Sequence, residues 1–442
     1  MSVTAREAAF RAVSLFRKRG IWPETMLDSL ITSEGMDPRD AALACEISGG
    51  VMRNMSLLDF YISAYLTSKI SRLEPAVTDI LRVSAYQLMF LDRIPAHAAV
   101  SEGVELTKRH ANPRAASLAN AVLRKIAANK DSLPEIPADD PVNYLSIKYS
   151  HPTWLVSELL NTLGPEECEA FLRENNEIPP ITAQVNTLKA TAGEALKALS
   201  DDGVEAEPHP WLNNALIIRQ TGALASLKAF KDGLIYVQDA AARLAVTAAG
   251  LEPGMSVLDG CAAPGGKSFA AAIDMENRGR ITSCDLHEKK LRKIDEGADR
   301  LGINIISTLA ADGREPYAGL FSAFDVVFAD VPCSGIGVIR KKPDIRYRNE
   351  KDVRALPDIQ LDILRGLSKC VKPGGALIYS TCTVLNRENQ GVTSRFLEEN
   401  GDFTTESFTL PQPLGDCGGD VTLWPQKHGT DGFYICKMRR KK

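Results

Sequence analysis

The sequence predicts a multidomain chain: an all-α N-terminal domain, a small α+β middle module, and a C-terminal α/β domain built on a doubly wound parallel sheet. Three observations carry this reading. From Ala5 to about Lys130 the apolar periodicity is helical throughout, with no strand signal. An acidic, proline-rich stretch without periodicity, DSLPEIPADDP from Asp131 to Pro141, then interrupts the chain. From Val237 onward, apolar strand-like runs alternate with helical ones. At 442 residues the chain also exceeds what one hydrophobic core holds. The expected boundaries are residues 1–130 for the helical domain, 131–144 for a linker, 145–235 for the middle module and 236–442 for the α/β domain.

Each element has its own warrant. In the helical domain, Val77, Ile80, Leu81, Ser84, Ala85 and Leu88 recur three and four apart, which places them on one helix face. In the middle module His151 to Asn175 reads as helical, and ITAQVNTLK, EALKAL and ALIIRQ read as strand, helix, strand. The α/β domain supplies SVLDG, ITSCDL, IISTLAAD, FDVVFADVP and GGALIYSTC as strands. A sheet of this kind places its ligands at the carboxyl ends of the strands.

Composition excludes several function classes. The chain is 44% hydrophobic and 24% charged, as ordinary globular proteins are. No apolar run reaches the roughly 18 residues that a membrane span needs, and Met1 to Gly20 carries Glu7 and several arginines where a signal peptide would be apolar. A cytoplasmic protein without membrane partners is expected. Nine cysteines with no C-x-x-C pair fit a reducing compartment and argue against a disulfide framework or a zinc site, so no metal is expected. Net charge is −4, yet residues 1–130 hold 17 Lys plus Arg against 13 Asp plus Glu, leaving 35 against 43 for the rest. Two basic runs stand out: Arg340, Lys341, Lys342, Arg346 and Arg348, and the tail Lys437, Arg439, Arg440, Lys441 and Lys442. Local clusters of this kind form electrostatic footprints for nucleic acid.

The segment SVLDGCAAPGGKSF is a strand running into a glycine-rich turn and a helix. Gly265 and Gly266 let backbone approach a ligand, and the helix start offers free N–H groups. Nineteen residues past Gly266, Asp285 ends the next strand, where a carboxylate accepts hydrogen bonds from ribose hydroxyls. A nucleoside-bearing cofactor is expected. GKS at Gly266 to Ser268 and the acid strand VVFAD also suggest a phosphate-binding loop, but that motif needs glycine where Cys261 stands. The G-x-G-x-x-G pattern of a dinucleotide site is missing as well.

Two cysteines follow strands directly, Cys333 in ADVPCSG and Cys382 in YSTCTVLNREN. Methylating C5 of a cytosine requires electrons pushed into the ring by a thiolate at C6, a partner for N3, and a methyl donor in line. Free cysteine titrates near about 8.5, so such a site must stabilise the anion by helix ends or cations. Asp330, three residues before Cys333, suits the N3 partner, and Lys267 can supply positive potential. The chemistry leaves open which cysteine attacks.

On these residues the sequence closely resembles the RNA 5-methylcytosine methyltransferases, and within them the bacterial enzymes that act on 16S ribosomal RNA. LDGCAAPGGKS matches the family's first motif, DVPCSGIGVIRKKPDIR its fourth and STCTVLNREN its sixth. Residues 5 to about 128, with the stretch RIPAHAAVSEGVELTKR, resemble a NusB-type RNA-binding helical domain, and YSHPT introduces the intermediate module. The resemblance thus spans nearly the whole chain and implies a Rossmann-like class I methyltransferase domain that uses S-adenosylmethionine. It places the donor along Cys261, Ala262, Ala263, Pro264, Gly265, Gly266 and Lys267, with Asp285 on the ribose, Asp312 near the adenine and Asp330 by the reactive centre. It assigns the attack to Cys382 and product release to Cys333, the reverse of DNA cytosine methyltransferases. Gly260 and Ser268 stand where many relatives carry Ala and Thr, and Asn386-Arg387 where Pro and Glu are usual. The run Arg340 to Arg348 is expected at the pocket entrance, holding phosphates. The implied substrate is a cytosine of 16S rRNA, the family's position 967, in unassembled or partly assembled RNA, and the implied enzyme is a monomer. A tRNA or DNA cytosine methyltransferase, or a catalytically idle RNA-binding antitermination factor, are the alternatives.

Overall fold

The computed structural model describes residues 3–20, 26–27, 35–220 and 224–442. They group into two compact units, Met1–Glu177 with Lys342–Tyr347, and Ile178–Lys341 with Arg348–Lys442.

The first unit is helical. Ala5–Arg19, Pro38–Ala64, Pro75–Phe90, Ala96–His110 and Pro113–Ala128 form its core helices. Three start on side-chain caps: Thr4 accepts the Glu7 N–H, Asp37 that of Arg39 and Asn112 that of Ala115. Proline occupies the first turn of three of them, where its missing N–H costs nothing. The apolar faces meet in one core of Ile47, Val51, Leu58, Ile62, Ile80, Leu81, Val122 and Leu123, and Val77, Ala85 and Leu88 join it as their spacing implied. A buried carboxylate, Asp79, accepts from Ser14 Oγ at 2.8 Å, Arg17 Nε at 2.9 Å and Arg82 at 3.2 Å.

Three more helices, Pro141–Tyr149, Thr153–Leu163 and Pro165–Glu174, belong to this unit. Within the span expected as a middle module, the helices group with the first unit and the sheet with the second. Backbone bonding ties the helices to their unit. Ser150 Oγ accepts the Leu57 N–H at 3.2 Å, and Arg346 donates to carbonyls of Arg53, Tyr149, Ser150 and Asn175. The irregular linker ends at Asp140, whose side chain caps the helix from Pro141.

The second unit begins with an antiparallel sheet of β1 (Ile181–Val185), β2 (Glu205–Pro208), β3 (Ala215–Gln220) and β4 (Ile235–Val237), in the order β2-β3-β1-β4. One tie to the rest of the unit is Asn186, whose Nδ2 donates to Gly233 O at 2.9 Å and Leu301 O at 2.8 Å. Gly233 is required there: its φ is +71°, and a Cβ would lie 2.1 Å from Arg300 O.

The main sheet comprises β5 (Ser256–Asp259), β6 (Arg280–Asp285), β7 (Ile306–Ala310), β8 (Phe324–Asp330), β9 (Val371–Thr381), β10 (Phe403–Thr405), β13 (Asp420–Leu423) and β14 (Phe433–Arg440). A separate ribbon pairs β11 (Phe408–Leu410) with β12 (Gly415–Cys417). Strands β9-β8-β5-β6-β7 run parallel in that order, so the winding reverses between β5 and β8. Period-two alternation serves both faces. Val326 and Phe328 join the helices Ala240–Ala249, Gly266–Asp274 and Glu288–Leu301, while Val327 and Ala329 join Leu356–Ser368 and Gln390–Glu399. The sheet is mixed, since β14 adds antiparallel to β9 and carries β10 and β13. Among the described residues no helix is long and apolar enough to cross a membrane.

Candidate active site

The winding reverses between β5 and β8, and Lys267, Asp330, Cys333 and Cys382 come together beyond the carboxyl ends of these strands. From β5 the chain turns through Gly260 to Gly265 into the helix Gly266–Asp274. Gly265 caps it at φ +111°, and a Cβ there would lie 2.5 Å from the Phe269 ring. Ala262 N donates to Cys284 O at 2.7 Å, fixing the turn against β6, while Ala263, Pro264 and Gly266 are at least partly exposed. Ser268 Oγ donates to Asp259 at 2.7 Å, and burial pushes that carboxyl up to about 6. Burial and the Asp259 charge raise the Cys261 thiol, leaving it neutral.

Asp285 ends β6, its Oδ1 accepting the His287 N–H at 2.9 Å with Lys290 Nζ 3.8 Å away. Asp312 lies beyond β7 and is engaged by Arg314, which donates from Nε at 3.0 Å and from a terminal nitrogen at 2.6 Å. That hydrogen bond holds the Asp312 carboxyl below its usual range.

Asp330 ends β8 and receives two donors, Lys267 Nζ on Oδ2 at 2.6 Å and Ser380 Oγ on Oδ1 at 2.7 Å. Lys267 is only 7% exposed, and its ammonium stands 5.1 Å from the Phe433 ring centroid. Beside them Cys333 and Cys382 bring their sulfurs to 3.2 Å. The hydrogen bond between the thiols divides them. It lowers Cys382, against burial and the Asp330 charge and with help from Lys267, while it raises Cys333 well above its ordinary value.

The basic runs are largely spent within the fold. Arg340 is 3% exposed and pairs with Asp431 at 3.3 Å; Lys341 reaches Asp239 at 2.5 Å and Asp431 at 2.7 Å. Arg346 is 1% exposed inside the helical unit. Lys342 and Arg348 are exposed, although Arg348 donates to Cys333 O at 3.1 Å and Ser334 O at 2.9 Å. In the tail, Lys437, Arg439 and Arg440 lie on β14; the first two pair with Glu406, holding its carboxyl at about 2, and Arg440 pairs with Asp402. Arginine and lysine in a row say nothing of which strand or loop will bury them. Sequence reading also passed over Ser380, Phe433, Asp239 and Asp431, whose partners stand tens to hundreds of residues away. Among the described residues no cluster of metal-ligating side chains occurs.

Comparison with known proteins finds relatives along the whole chain. A family model described as 16S rRNA methyltransferase RsmB/F matches residues 246–439, one for the NusB family matches 3–128, and one for the ferredoxin-like domain of RsmF/B-like methyltransferases matches 151–225. The chain is 36% identical to a probable ribosomal RNA small subunit methyltransferase B of Bacillus subtilis (strain 168), over 99% of each. It is 34% identical to ribosomal RNA small subunit methyltransferase B of Erwinia tasmaniensis, over 90% of each. Among solved structures, that of PH0851 matches with a TM-score of 0.81 at 26% identity, covering 100% of this chain and 99% of the other. With three motifs gathered at one sheet edge and relatives of this identity along its whole length, the chain belongs to the RsmB/F family of 16S rRNA methyltransferases.

Proposed function

We infer that this chain transfers a methyl group from S-adenosylmethionine to C5 of a cytosine in 16S rRNA, at the family's position 967, through a covalent bond from Cys382 to C6. The observation that carries the reading is the 3.2 Å contact of two thiols next to the Lys267–Asp330 pair.

The site's donor set fits the methyl donor. The Cys261–Lys267 turn and the following helix start offer backbone N–H groups, and Asp285 offers a carboxylate for ribose hydroxyls. Asp312 stands beyond the next strand, where the adenine would lie. The donor supplies an electrophilic methyl group; the remaining steps fall to the chain. Cys382 Sγ adds to C6, and the electron pair pushed to C5 forms the new carbon–carbon bond. C5 then gives up its proton to solvent, the C5–H electron pair forms the C5–C6 double bond, the Cys382–C6 bond breaks with its electrons returning to sulfur, and aromaticity is restored. Asp330, bridged to Lys267, faces N3 and shares a proton with it. Cys333 acts in release, being the neutral thiol within proton-transfer distance. Since the base must leave its stack at a cost of a few kcal/mol, unassembled or partly assembled RNA is the substrate, bound with help from the exposed Arg348. A monomer suffices, because each of these groups comes from one chain.

Trapping tests this. With purified 16S rRNA, Cys382→Ala gives neither methylation nor adduct, whereas Cys333→Ala accumulates a protein–RNA adduct on a denaturing gel. An adduct formed by Cys382→Ala instead would reverse the roles. Bisulfite mapping of rRNA from cells lacking the protein identifies the base, and a signal lost only from tRNA would replace the substrate.

A further inference from the structure

The two reactive sulfurs come from loops 49 residues apart, so something must set their spacing. Two adjacent residues, Glu388 and Asn389, both 0% exposed, grip the chain on either side of them. Glu388 Oε2 accepts the N–H of Ser334, just after Cys333, at 2.8 Å, and also Gln360 Nε2 at 2.8 Å. That same Gln360 nitrogen donates to the carbonyl of Pro332, just before Cys333, at 3.1 Å. Asn389 does the equivalent for Cys382: Oδ1 accepts Thr381 Oγ1 at 2.6 Å, and Nδ2 donates to Thr383 O at 3.1 Å. Ser334 Oγ donates to Thr383 Oγ1 at 2.8 Å, closing one loop on the other. Tyr379 OH donates to the Glu388 carbonyl at 2.6 Å, fixing the pair to β9.

A carboxylate is a costly group to bury for packing alone. Its position beside Cys333 gives it a second consequence, since a negative charge there opposes a second anion. We propose that Glu388 and Asn389 are positioning residues that set the distance between the two sulfurs and thereby decide which one keeps the proton. This rests on Cys333 and Cys382 being the reacting pair. Cys333 is raised by its hydrogen bond to Cys382, then by burial, then by the charges of Cys382 and Glu388, and Tyr379 also faces it. Lys267, Asp330 and Asp431 face Cys382.

The test is the pH dependence of iodoacetamide alkylation at each cysteine, read by peptide mass spectrometry on full-length, RNA-free enzyme whose fold is checked by circular dichroism. Glu388→Gln keeps shape and an acceptor for Ser334 but removes the charge. The Cys333 midpoint falls, the Cys382 midpoint rises, and Cys382 alkylation at neutral pH slows about tenfold, as a shift of one pKa unit requires. Asn389→Ala frees the turn around Cys382, and the two profiles converge; it supplies the same readout should the first variant not fold. Profiles that superimpose on the wild type would overturn the proposal. Because alkylation uses neither RNA nor methyl donor, that failure is distinct from failure of adduct trapping, which would count against the reaction itself.

Discussion

Arg346 and Lys267, buried cations of the helical and the α/β unit respectively, are built differently. Arg346, in the helical unit, meets only neutral acceptors: the carbonyls of Arg53, Tyr149, Ser150 and Asn175, and Asn176 Oδ1, between 2.7 and 3.3 Å. Burial lowers it to about 10. Lys267, in the α/β unit, meets one carboxylate at 2.6 Å, an aromatic face, and the thiol of Cys382. A planar guanidinium with five donors can saturate carbonyls from several segments and so knit them together, whereas an ammonium is a point charge that lends potential to its neighbours. Burial of a cation therefore does not mark a reactive site; the chemistry of its partners does.

Substitution separates the two. The largest effect is expected at Lys267→Met, which removes the charge beside Asp330 and Cys382. Single-turnover methylation should slow about 10²–10³-fold, the usual cost of losing one electrostatic stabiliser, with little change in melting temperature. Arg346→Met should do the opposite. Leaving several buried carbonyls unpaired costs about 3 kcal/mol, visible in denaturant unfolding, while the alkylation profile of the thiols stays unchanged. Equal losses of activity in both variants would erase the distinction.

The smallest effects sharpen the contrast through pH. His151 is buried beside Arg346 and held well below its ordinary value of 6.5, by burial first and then by the guanidinium. Unfolded chains bind the proton that the folded unit refuses, so this contribution to stability is present above about 6.5 and is lost as pH falls below it. Asp259, in the other unit, is raised by burial from 3.8 to about 6. Here the folded state binds the extra proton, so stability is present below about 4 and declines as pH rises through 6. In unfolding titrations His151→Gln should flatten the first slope and Asp259→Asn the second. A single shared slope unaffected by either change would show that other groups dominate.

Legibility followed the range of the interaction. The five parallel strands were readable because burial on both faces demands short apolar runs, as in FDVVFADVP and GGALIYSTC. The antiparallel edge was not. β14 reads as FYICKMRR, and its pairing with β9 depends on a partner strand more than fifty residues earlier. The cofactor turn was readable because glycines, a strand and a helix start lie within fourteen contiguous residues. The hold of Arg346 on the turn after Tyr149 was not, because the two lie almost two hundred residues apart.

By itself the sequence determined the helical, mixed and doubly wound parts, the ligand-bearing edge, and two cysteines as candidates for one reaction, since these follow from local periodicity and residue chemistry. Only the tertiary structure decided that the two thiols meet beside Lys267 and Asp330, which basic residues are spent on buried acids and carbonyls, and that Glu388 and Asn389 hold both cysteine loops. The reason is physical: proton affinity and burial are set by groups within a few ångströms in space, and the chain gathers those groups from positions far apart along its length.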